Sequence, residues 1–204
     1  MRKSFSILAL FSLCLLGAQW AKADTCNGVA SNLVQNCAFG TGDFTGWSGT
    51  APSDPFNGVD QGAPLAIGST PYNGLANEAF LGSSSLETLE QSFTTVAGGQ
   101  YTIEFALLND TDPSLGYGNE FIAAFDGLTM LSESNVAADG YTLYSYTLDA
   151  TSDLSTLVFS EENPSGDFEL DSVSVEATPE PGSFLLLATG LLLLAGLTRR
   201  RLCR

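Results

Sequence analysis

Apolar residues in the middle of this chain recur at every second position in short runs, with turn-forming residues between them. Tyr101-Thr102-Ile103-Glu104-Phe105 puts Tyr101, Ile103 and Phe105 on one face of an extended segment. The segment Glu120–Phe125 meets Leu128–Leu131 across Asp126-Gly127, a strong local hairpin signal. The same pattern predicts strands at Tyr141–Leu148, Leu154–Phe159 and Phe168–Val175. Before these, it predicts strands at Asn32–Gln35, Leu65–Ile67, Ala79–Leu81 and Leu86–Phe93. No helical period of useful length interrupts them. Several short strands with regular turn signals predict an all-β sandwich or barrel. In the last strand Phe168 and Leu170 share one parity while Val173 and Val175 share the other, so a bulge near Asp171 is expected. Asn57-Gly58 and the stretch Pro71 to Gly74 read as turns satisfied by backbone geometry.

The pattern changes at both ends. Arg2 and Lys3 precede an apolar run from Phe5 to Leu16, and Ala21-Lys22-Ala23 supplies the small residues of a cleavage site. This is the pattern of a secretory signal peptide over residues 1–23, removed by signal peptidase before Asp24. At the other end a second apolar run, Phe184 to Leu197, follows Pro179-Glu180-Pro181 and precedes Arg199, Arg200 and Arg201. Fourteen residues make a helix of about 21 Å, short of the roughly 30 Å hydrocarbon core of a bilayer. The run therefore reads as a single short transmembrane helix, marginal as a permanent anchor. The arginines orient it with the C-terminus inside and the body outside.

Charge sharpens this division. All seven basic residues lie in the two end segments, so residues 24–178 hold no Lys, Arg or His but 22 of the 23 acids. No side-chain salt bridge can form within such a body. Direct binding to nucleic acid is excluded, because neutralising phosphates needs Lys or Arg. Divalent cations are natural screening partners outside a cell, and calcium prefers carboxylate and carbonyl oxygens. Two of the four cysteines, Cys26 and Cys37, fall in the exported body. An oxidising compartment favours a disulfide between them, with two buried thiols or a crosslink to another chain as the alternatives.

Asn32-Leu-Val-Gln-Asn-Cys-Ala-Phe39 followed by Thr41-Gly-Asp-Phe-Thr-Gly-Trp47, together with the closing Phe168-Glu-Leu-Asp-Ser-Val-Ser-Val175, resembles exported bacterial proteins with a carbohydrate-binding-module-like jelly roll. With Pro179-Glu180-Pro181, the apolar run and the arginines, the whole chain resembles a PEP-CTERM sorting-domain protein. The resemblance implies three parts: signal peptide 1–23, a jelly-roll β-sandwich at 24–177, and a sorting signal at 178–204. It implies recognition and cleavage of that signal by an exosortase-type enzyme. The body is then released or attached at the surface, often where extracellular polysaccharide is made. Two departures stand out: Cys37 replaces a usual Gly, and Gly40 replaces a usual acid that lies near a structural metal in calcium-bearing relatives.

Candidate chemistry follows from these two sources. Asp43 and Asp171 are the candidate calcium ligands, since the first and last strands of a jelly roll are neighbours; the alternative is that both face solvent as turn or bulge residues. The Asn109-Asp110-Thr111-Asp112 stretch reads as a polar loop, and the acids Asp149, Asp153, Glu161 and Glu162 read as exposed loop charges rather than ligands. Trp47, Tyr72 and Tyr117 are the candidate sugar-stacking residues, and Phe56 also sits in a Gly/Pro-rich loop. Trp47 has a competing role in the core. Without His or Lys, nucleophile–base pairs of the Ser–His kind cannot be built. Only a carboxylate pair could serve catalysis, as in glycoside hydrolysis. The expectation is a non-catalytic surface or matrix protein associated with extracellular polysaccharide. The alternatives are a carbohydrate-binding module with a structural calcium site and, behind it, a polysaccharide hydrolase.

Overall fold

The computed structural model describes residues 31–60, 66–67, 70–71, 77–178 and 189. The signal-peptide segment, Cys26, Tyr72, Pro179-Glu180-Pro181 and the arginine cluster lie outside the described residues. Among the described residues twelve strands, numbered in chain order, form two five-stranded antiparallel sheets and one small pair. The first sheet runs β1 (Ser48–Gly49), β6 (Glu87–Thr94), β11 (Leu154–Glu162), β8 (Glu120–Phe125), β9 (Leu128–Ser134). The second runs β10 (Asp139–Asp149), β7 (Gln100–Asn109), β12 (Phe168–Ala177), β5 (Glu78–Leu81), β2 (Asn57–Asp60). The pair is β3 (Ala66–Ile67) with β4 (Thr70–Pro71), and β3 packs against β10. Among the described residues no helix is long and apolar enough to cross a membrane.

Alternation explains the packing. Leu89, Phe121, Phe125, Leu157 and Phe159 point inward from the first sheet. Ile103, Phe105, Phe168, Leu170, Val173 and Val175 meet them from the second. Phe105 sits at the centre, with ring centroids 5.1 Å from Phe159 and 5.3 Å from Tyr144. Such aromatic pairs add to the stabilisation that burial alone gives. The strands around Tyr101, Phe121 and Phe168 thus lie where their period-2 pattern places them.

The hairpin between β8 and β9 turns on Asp126 (φ 50°) and Gly127 (φ 79°), two left-handed residues in succession. That is the primed turn which matches strand twist. The expected bulge is present too: the β12–β7 register shifts between Asp171 and Ser174, and Ser172 has φ 58°. The shift lets Leu170 and Val173 both enter the core.

Two local expectations need correction. Asn32–Gln35 is not a ladder strand. It is pinned to β12 by a backbone bond from Leu33 N to Val175 O and by one side chain, with Asn32 Nδ2 donating to Val173 O and Asn32 Oδ1 accepting from Val175 N. Asn57-Gly58 is not a turn but the start of β2, opposite Leu81 and Phe80. The Phe80 ring lies directly over Gly58, where any Cβ would collide with it. Glycine is required there for close approach rather than for turning.

Candidate functional site

Strand direction brings four loops to one end of the sandwich. β2 begins at Asn57 opposite the end of β5, and β6 begins at Glu87 opposite Glu161 near the end of β11. β8 begins at Glu120 opposite Glu162, and β7 ends at Asn109 opposite Phe168, where β12 starts. Segments 50–56, 82–86, 110–119 and 163–167 therefore emerge together.

Hydrogen bonds join these segments into one platform. Ser83 Oγ donates to Asp54 Oδ2 (3.2 Å), and Asn163 N donates to Ser83 O (2.8 Å). Thr111 Oγ1 donates to Asn163 Oδ1 (3.0 Å), while Asp112 N donates to Ser165 O (2.8 Å). Under them Asn109, Thr111, Asn119 and Asn163 form a buried network, with Asn119 bonded in both directions to Val136. Such satisfied networks hold loops in one arrangement.

The platform exposes unusual side chains. Phe56 (61%), Leu86 (50%), Leu115 (54%) and Tyr117 (64%) all project from it into solvent. Large apolar groups gathered on one face mark interaction surfaces more often than scattered ones do. Asp54, Glu87, Asp110, Asp112, Glu120 and Glu162 lie in the same loops or at the strand ends that carry them. No basic side chain occurs anywhere in this part of the chain.

Beneath the platform lies Glu161, fully buried although expected among the exposed loop charges. It continues the inward face of β11 after Leu157 and Phe159, so its parity was the signal that could have revealed it. One oxygen, Oε1, accepts from Asn57 Nδ2 (3.1 Å); Oε2 has no hydrogen-bond partner. Burial outweighs the hydrogen bonds from Asn57 and the Ser83 backbone and, with the charges of Asp54 and Glu87, pushes the carboxyl up to about 8.

A second acidic group occupies the outer face of the other sheet. Tyr141 Oη lies 2.7 Å from Glu78 Oε2 and 3.1 Å from Glu169 Oε2. Burial, with Glu78 beside it, pushes Glu169 up to about 7. Asp171, also fully buried, accepts from Ser172 Oγ at Oδ2 and leaves Oδ1 without a hydrogen-bond partner. Burial pushes it up to about 6.

The residues singled out in the sequence are thus distributed. Asp43 is exposed and closes its own loop, accepting from Thr41 Oγ1 (2.7 Å) and Thr45 N (2.9 Å). Hydrogen bonds from Thr45 and Thr41 hold it below the usual carboxylate range. No hydrogen bond links it to Asp171. Among the described residues no three Asp, Glu, Cys or His side chains converge as a metal cage. Trp47 is not a stacking platform: it is buried, stacked on Phe39 at 5.7 Å, and its indole N–H donates to Asn36 O. Tyr117 is on the loop-end platform, and Phe56 joins it there. Cys37 is buried and disulfide-bonded.

Residues 177–201 match the model of the PEP-CTERM protein-sorting motif. The chain carries a PEP-CTERM sorting motif. That motif marks an exported protein. Comparison with curated protein sequences finds no match. Among solved structures, the enzymatically active domain of bacteriophage CBA120 tailspike protein 4 aligns with TM-score 0.50 at 12% identity. That alignment covers 72% of this chain and 21% of the tailspike chain. TmCBM61 in complex with β-1,4-galactotriose aligns with TM-score 0.48 at 17% identity, over 72% of this chain and 99% of that one. The carbohydrate-binding module CBM35 from Paenibacillus barcinonensis aligns with TM-score 0.42 at 15% identity, over 67% and 96%. At such identities the likeness concerns the jelly-roll fold.

Proposed function

We propose that this is a non-catalytic, exported surface or matrix protein. An exosortase-type enzyme processes it at the C-terminal sorting signal, and its body associates with extracellular polysaccharide through the loop-end platform. The sorting motif carries the proposal. The charge map supports it, because a body without one basic residue cannot bind anionic membrane or nucleic acid directly. The absence of His, Lys and Arg from residues 24–178 speaks against catalysis, and Glu161, whose carboxyl burial makes the weakest acid, is sealed from substrate.

The test is the intact mass of the mature protein with cell fractionation and polysaccharide pull-down. Loss of Arg199, Arg200 and Arg201 from the mature product is expected; a mature chain still carrying them would sink the processing step. Trypsin gives a simple check, since residues 24–178 hold no Lys or Arg and survive it even when unfolded.

The unpartnered oxygen of Asp171 favours a second reading, a carbohydrate-binding module with a structural calcium ion. Asp171 would be the one buried carboxylate donor. Gly40, which is exposed, offers no side-chain oxygen to complete the set, so this reading ranks second. A rise in melting temperature with calcium, lost in Asp171→Asn, would support it.

A further inference from the structure

We propose that the loop end recognises a polysaccharide carrying free primary amines, held where Phe56 and Leu86 flank the row Asp54, Ser83, Ser85 and Glu87. This inference rests on the proposed association with polysaccharide and names the class of polymer.

The row is continuous. Ser83 Oγ donates to Asp54 Oδ2 (3.2 Å), the Ser83 and Ser85 hydroxyls lie 3.5 Å apart, and Ser85 Oγ donates to Glu87 Oε1 (3.1 Å). It ends in a carboxylate on each side, and residues 24–178 hold no cation to answer either one. Glu87 is the direct cross-strand partner of Glu161, whose buried Oε2 has no hydrogen-bond partner. Two carboxylates therefore cap the row, and a third carboxyl, withdrawn from water, lies behind Glu87. Phe56 and Leu86 stand exposed beside this row, one on each of the two loops that build it.

The chemistry of the ligand follows by elimination. A uronic or sulfated polymer brings more negative charge and is repelled. A neutral sugar uses the hydroxyls but leaves the carboxylate charge unanswered. A protonated amine supplies three N–H donors for mixed carboxylate and hydroxyl acceptors, and these bonds are charge-assisted. The Phe56 ring offers an apolar face to the sugar and attracts the cation through its π-electrons.

Isothermal titration of the natively processed protein with a glucosamine tetramer and its fully N-acetylated counterpart tests this. The glucosamine tetramer is expected to bind at least about tenfold more tightly than the acetylated one, and less tightly as salt rises. Glu87→Gln and Phe56→Ala are each expected to weaken it by about fivefold or more. Asp149→Asn, an exposed acid at the opposite end, is expected to leave it unchanged. Unaltered melting curves show that the variants are folded. Equal binding of both tetramers overturns the amine proposal while leaving polysaccharide association standing. Equal weakening by Asp149→Asn overturns it as diffuse charge attraction. Failure to bind any polysaccharide of a broad panel overturns the association itself.

Discussion

At one end of the sandwich Asp126 accepts from Thr151 N (2.9 Å), Thr151 Oγ1 (3.1 Å), Ser155 Oγ (3.0 Å) and Thr156 N (3.0 Å). At the other end Glu161, more deeply buried, has a partner for one oxygen only. Burial raises both acids, but at Asp126 the hydrogen bonds from Thr151, Thr156 and Ser155 outweigh it and hold the carboxyl below its ordinary value. At Glu161 nothing outweighs it. Both sit in a body with no cation, so the difference comes from neutral donors at Asp126 and from deeper burial beside Asp54 and Glu87 at Glu161. The closed end is built to keep its charge, and the loop end to keep a proton or to await a counter-charge.

The broadest consequence is the pH dependence of stability. Glu161 at about 8, Glu169 at about 7 and Asp171 at about 6 all lie above ordinary carboxylate values when folded. The folded state then holds protons that the unfolded chain has released, so the contribution is complete below the ordinary carboxylate range. It is lost as pH rises, through about 6, 7 and 8 in turn. The melting temperature at fixed ionic strength is expected to fall by about 10 °C between pH 5 and 8.5. A flat or rising profile would remove the physical basis of the contrast between the ends.

Single substitutions assign that profile to residues. Glu161→Gln removes the buried charge without changing shape, and is expected to stabilise the protein by about 1–2 kcal/mol at pH 8 and hardly at all at pH 5. Chemical denaturation at the two pH values measures this; destabilisation at pH 8 would mean the carboxylate is already matched. Asp126→Asn is expected to cost about 1 kcal/mol at neutral pH, because it keeps the turn geometry but weakens four bonds. Its pH dependence has the opposite sign: a lowered carboxyl stabilises above the ordinary range and loses that contribution as pH falls through the folded value.

Much of this architecture was legible from alternation. The strands around Tyr101, Glu120 and Leu154, the Asp126-Gly127 hairpin and the bulge at Asp171 follow from period-2 parity and turn chemistry, which are local. What escaped depends on distant partners. β1 is two residues long and exists because Ser48 and Gly49 meet Glu90 and Leu89. β2 carries a turn-like Asn57-Gly58 that the Phe80 ring and the Leu81 pairing convert into strand. Glu161 reads as a loop charge in the sequence because its carboxyl masks its parity with Leu157 and Phe159. At the candidate site, the exposure of Tyr117 was foreseen from its loop. The row from Asp54 to Glu87 was not, since two loops separated by about 30 positions of sequence must fold together to make it.

The smallest expected effect sharpens the comparison furthest. Phe56 and Tyr117 are 61% and 64% exposed, so truncating either leaves no cavity in the core. Phe56→Ala and Tyr117→Ala are expected to move the stability by no more than about 0.5 kcal/mol, the usual range for surface positions. Leu154 is 62% exposed at the closed end, and Leu154→Ala has the same small expected cost. If the loop end is the working surface, Phe56→Ala and Tyr117→Ala lower retention on polysaccharide while Leu154→Ala does not. Equal retention of all three would show that exposure alone does not distinguish the two ends. The unpartnered oxygen beneath the platform would then be a cost of packing rather than part of a site.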